Sequence, residues 1–69
     1  MANAENIRAL QKNGEFKFEG MTREESRRAA VQLSKDAMAE DERNGIRSAF
    51  GIKRDAFGYY SAVSLGNGG

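Results

Sequence analysis

The sequence contains no cysteine and no histidine. Without cysteine no disulfide can staple the chain, and without either residue there is no ordinary structural zinc site. The same absences remove the commonest general base, the commonest nucleophile and the softer metal ligands, so catalysis would have to rest on carboxylates, serines or lysines. An excess of one charge is also lacking. The 11 basic and 10 acidic residues leave a net charge of +1, which neither announces a nucleic-acid ligand nor excludes one locally. The N-terminal MANAENIRAL has no long apolar run behind a basic stretch, so neither a signal peptide nor a membrane span is expected, and the expected compartment is the cytoplasm.

Large apolar residues are few as well. A chain of 69 residues is one domain at most, and it buries a smaller fraction of its surface than a larger domain does. With no staple, it needs very good packing or a partner chain, and a homodimer is the expectation. The domain is expected to span 1–65, followed by a disordered Gly-rich tail at 66–69.

What is present begins with a short amphipathic pattern. Ile7 and Leu10 among Glu5, Arg8 and Lys12 predict a helix, with Asn3 as N-cap and Asn13-Gly14 as its stop. Glu15-Phe16-Lys17-Phe18-Glu19 alternates strictly and predicts a half-buried strand over 15–19 with both rings on one face. Thr22-Arg23-Glu24-Glu25 has the spacing of a capping box. Beyond it Ala30, Leu33 and Ala37, with Val31, Ser34 and Met38, fall on one side of a helix at three- and four-residue steps. Glu40-Asp41-Glu42 faces the negative end of that helix's dipole, and Asn44-Gly45 supplies a terminating turn.

The last third repeats itself. Arg47-Ser48-Ala49-Phe50-Gly51-Ile52 returns seven residues later as Arg54-Asp55-Ala56-Phe57-Gly58-Tyr59. On a helix, positions seven apart share a face, so Phe50 and Phe57 would form one packing stripe with Ile46, Ala49, Lys53, Ala56 and Tyr60 beside it. The fold expected from this is mainly α: a short N-terminal helix, a single strand, then an antiparallel helical hairpin that dimerises. The alternative is a small α+β domain with strands near 15–19 and 59–65, in which Gly51 and Gly58 break the repeat into turns and Tyr59, Ser61, Val63 and Leu65 alternate along a strand.

No catalytic, cofactor-binding or metal-binding residue is assigned. The acids of 24–25 and 40–42 are explained by capping and solubility, residues 36–42 lack the register of a calcium loop, and no serine has an adjacent base in a known motif. Interface energy concentrates in Tyr, Trp and Arg, so Arg47, Arg54, Tyr59 and Tyr60 are the candidate contacts to another protein. Leu33, Met38, Ile46, Phe50 and Phe57 are the candidate self-association residues. The expected function is a small non-enzymatic interaction module, a phage-type or accessory inhibitor or regulator that blocks a host protein through a helical dimer surface.

The competing reading is a small dimeric DNA-binding regulator. Arg43, Arg47, Lys53 and Arg54 stand against one acid, Asp55, with aromatic residues interleaved, and Arg47 and Arg54 would share a helix face. Strand, capped helix, Asn-Gly turn and second helix over residues 15–60 resemble the ribbon-helix-helix repressors in outline. The outward face of the strand, Glu15, Lys17 and Glu19, suits phosphate and base contacts poorly, and no DNA-contacting residue is carried over.

Overall fold

In the computed structural model, which describes residues 4–67, the longest element starts where the capping box lies. The Glu25 amide donates to the Thr22 hydroxyl at 3.1 Å and the Thr22 amide donates to the Glu25 carboxylate at 2.9 Å. Both orphan donors are satisfied, and helix α2 runs from Arg23 to Arg43. It continues through the three acids because each finds a local solution. Glu40 pairs with Arg43, Asp41 is buried and accepts a 2.6 Å bond from the Gln11 amide, and Glu42 faces solvent. The helix then stops in a Schellman turn. Ile46 N donates to Asp41 O at 2.8 Å and Gly45 N to Glu42 O at 3.1 Å, with Gly45 at φ +73°, a conformation that costs a residue without a side chain little.

Before it lie helix α1 (Ala4–Asn13) and strand β1 (Glu15–Lys17), and after it strands β2 (Ser48–Arg54) and β3 (Tyr60–Asn67). α1 closes with Gly14 N donating to Leu10 O at 2.8 Å, while Asn3, its expected cap, lies outside the described residues. The strands form one antiparallel sheet in the order β1-β3-β2. Phe16 and Ile52 both stand opposite Ala62, which puts all three on the face turned to α2. Along α2, Ser26, Ala30, Leu33, Ser34 and Ala37 are buried, a stripe at helical spacing. Leu10, Ala30, Leu33, Ala37, Phe50 and Ala62 make the core, flanked by Ile7, Phe16, Phe18, Met38 and Tyr60. The two phenylalanines beside β1 meet edge to face at 5.0 Å between centroids.

The mainly α expectation is therefore overturned: two helices stand against a three-stranded antiparallel sheet, an α+β fold. No helical hairpin forms, because residues 46–60 are extended or turning. A helix through this segment would have carried Gly51 and Gly58 in its interior at about 1 kcal/mol each relative to alanine. As a strand it instead buries Phe50 under α2 and pairs along its whole length with β3, with one bulge after Ala49. The predicted strand at 15–19 is shorter, ending at Lys17, and its partner β3 continues past Leu65. Gly66 and Asn67, expected in a disordered tail, pair with Ala49 and Ser48, and residues 68 and 69 lie outside the described part.

Two measurements check this architecture. Leu33→Ala, at a site with 1% exposure, is expected to cost about 3 kcal/mol, read as a fall in the denaturant midpoint. The Thr22 backbone amide, donating to the Glu25 carboxylate, and the nearby Thr22 hydroxyl hold that carboxyl below its ordinary value of 4.5, so its capping contribution is complete above that pH and disappears as the pH falls through the lowered value. The stability advantage of the native chain over Glu25→Gln is expected at neutral pH and should vanish in acid; an advantage that persists there would contradict the assignment.

Candidate interaction surface

Among the described residues the second copy of the repeated Ala-Phe-Gly carries the most exposed large apolar group, Phe57. Asp55 opens the turn between β2 and β3, and one of its carboxylate oxygens accepts from Phe57 N at 2.8 Å and from Tyr59 N at 3.0 Å. Gly58 N donates to Asp55 O at 3.2 Å and Asp55 N to Tyr59 O at 2.9 Å, which closes a type I turn followed by a residue at positive φ. That residue is Gly58, at φ +91°, and a Cβ there would also lie 2.9 Å from Arg23 Cδ. Aspartate and glycine are both required by this turn, and Phe57 is carried at its apex with 73% of its surface exposed.

The apex is fastened to the first turn of α2. Arg23 Nε donates to the Phe57 carbonyl at 2.6 Å, and the same guanidinium lies over the Tyr59 ring, 5.3 Å from its centroid. One step inward, the fully buried Ser26 hydroxyl donates to Arg23 O at 2.7 Å and accepts from Tyr60 N at 3.0 Å. A backbone carbonyl, an aromatic ring and the first amide of β3 are thus all held by one helix end. The phenyl ring is left as the free group of a constrained loop.

The residues expected to act together are separated by this fold. Phe50 and Leu33 are core, and Met38 and Tyr60 are half-buried against it. Phe57 and Ile46 are exposed, at the hairpin apex and after the α2 turn respectively, so the expected Phe50–Phe57 stripe does not exist. Arg47 and Arg54 do not share a face either. Seven residues is close to two helical turns but an odd step along extended chain, and they stand at opposite ends of β2, roughly 20 Å apart. Tyr59 alone of the candidate contacts stands beside Phe57. Arg23, Ser26 and Asp55, which position the apex, were not singled out in the sequence; Asp-Ala-Phe-Gly as a turn signature was the signal that could have found Asp55.

Comparison with known proteins finds no matching family model, no matching curated protein and no matching solved structure. Among the described residues no cluster of three or more acidic, cysteine or histidine side chains could hold a metal ion, and no helix is long and apolar enough to cross a membrane. The arrangement presents shape and apolar surface, with Arg23 of α2 and Asp55 of the turn holding the apex in place.

Removing the positioning groups should loosen the apex without opening the core. Asp55→Ala is expected to cost about 1 kcal/mol and to speed amide exchange from Phe57 to Tyr60, while exchange in the middle of α2 stays as it was. Uniform protection across the variant would show that the carboxylate does not order the turn.

Proposed function

We propose that the chain is a small non-enzymatic protein-interaction module, of the phage-type or accessory inhibitor class, that binds and blocks another protein with the Phe57 apex of its β2–β3 hairpin. One observation supports this above the others: a phenyl ring with 73% exposure sits on a turn whose backbone is already fixed by Asp55 and Arg23. A large apolar group held mostly in water contributes little to the fold of this chain. On a pre-ordered loop it can enter a pocket of another protein without the entropy cost of ordering a flexible segment. Tyr59, partly exposed next to it with the Arg23 guanidinium over its ring, widens the same contact.

The test separates binding from stability. Phe57→Ala removes a mostly exposed side chain, so its unfolding free energy should stay within about 0.5 kcal/mol of the native chain. Affinity for the partner captured from the native host should fall by about 30-fold or more, the size expected for an interface anchor. A variant that captures the same partner with the same affinity would overturn the reading.

A further inference from the structure

Strand β2 lies at the edge of the sheet, and among the described residues nothing pairs with its outer side. It is seven residues long, contains no proline, and its own backbone has no bulge of extra residues. Its only protection is Lys53 and Arg54 at one end. Beside it, the second half of α2 and the start of β2 enclose a shallow groove of about 520 Å³ lined by Met38, Glu42, Ile46, Arg47, Ser48 and Ala49. Two features of this groove are unfinished. The Ser48 hydroxyl oxygen is buried with no hydrogen-bond partner, and Glu42, the one carboxylate of the groove, forms no ion pair among the described residues. Ile46 and Ile52, 49% and 38% exposed, flank the same edge.

We propose that a second copy of this chain pairs with the first, β2 against β2, antiparallel about a twofold axis through Gly51, and that Arg54 of each copy fills the groove of the other. Gly51 is the middle residue of Ser48–Arg54, so this register lets the whole strand pair. It sets Phe50 opposite Ile52, Ala49 opposite Lys53, and Ser48 opposite Arg54 of the second copy. Ser48, Phe50, Ile52 and Arg54 alternate onto the face turned to α2, so the incoming guanidinium arrives on the groove side. There it meets a carboxylate and the negative end of α2, and a rotation of the Ser48 side chain lets its orphan hydroxyl accept from it. The next pair outward is Arg47 opposite Asp55, again of opposite charge. A one-residue shift of register would turn each arginine to the wrong face. The acids in the last turn of α2, unfavourable for that helix alone, gain a cation.

This inference stands on the strand edge and not on the hairpin apex, so Phe57→Ala is expected to remain dimeric whatever becomes of its partner binding. Light scattering on the full chain should give twice the 7.6 kDa chain mass in the micromolar to millimolar range. Arg54→Glu and Glu42→Arg should each raise the dimer dissociation constant by about tenfold or more, and the two together should restore it. Ala49→Cys combined with Lys53→Cys should oxidise to a covalent dimer, since only this register brings those positions opposite each other. A chain that is monomeric throughout, charge reversals that leave the mass unchanged, or a double cysteine variant that stays uncrosslinked overturns the proposal. Should a reversal fail to fold by circular dichroism, the cysteine pair decides.

Discussion

Two serine hydroxyls hold the helix to the hairpin, and the rest of the structure is arranged around that seam. Ser26 links Arg23 O to the amide of Tyr60. Two turns on, Ser34 shares its proton between Ala30 O and Gly51 O, at 2.8 and 2.9 Å. Each satisfies a polar group of a strand from inside the helix, which is possible only because the residues around them are small. Ala30 and Ala37 on α2 and Ala62 on β3 have no exposed surface at all. A chain with few large apolar residues cannot build a thick core, so it brings backbone close to backbone and covers the contact with short side chains.

That economy explains which parts of the fold were legible. The capped start of α2, its buried stripe at 30, 33 and 37, its Asn-Gly end and the paired rings of 16 and 18 all follow from local chemistry, and local chemistry decides them. The segment from 46 to 60 was not decided locally. Ala-Phe-Gly occurs twice, once as a strand with Phe50 buried and once as a turn with Phe57 in water. The difference lies in the preceding residue and in what each copy meets. Asp55 can accept from two amides downstream and so folds its copy into a turn, whereas Ser48 leads a copy that lies under α2 and along β3. A period of seven fits a helix face, but nothing in the period itself requires a helix, and tertiary pairing overrode it.

The candidate interaction surface was legible in its residues and not in its arrangement. Phe57 and Tyr59 stood among the aromatic candidates, and Arg54 among the arginines, but the distance between Arg47 and Arg54 depends wholly on whether the chain between them rises 1.5 or about 3.3 Å per residue. Arg23 illustrates the other limit. In the sequence it is only the second residue of a capping box, and only the return of the chain 34 residues later gives it the Phe57 carbonyl and the Tyr59 ring to hold. No pattern within the helix foreshadows a contact at that separation.

The two proposed surfaces are mechanically connected through β2. Its first residues border the groove, its last residue is the arginine proposed to fill the groove of a second copy, and the residue after that is Asp55, which shapes the apex. In a β2-paired dimer the apices point away from each other, each about six residues from the twofold axis, and so lie about 40 Å apart. Two anchors on such a paired sheet would bind a symmetric or multimeric target with an effective concentration set by that spacing, and would bind a single small target only once. A chain too short to offer a large interface of its own would thereby gain avidity from pairing, without adding a residue to either contact.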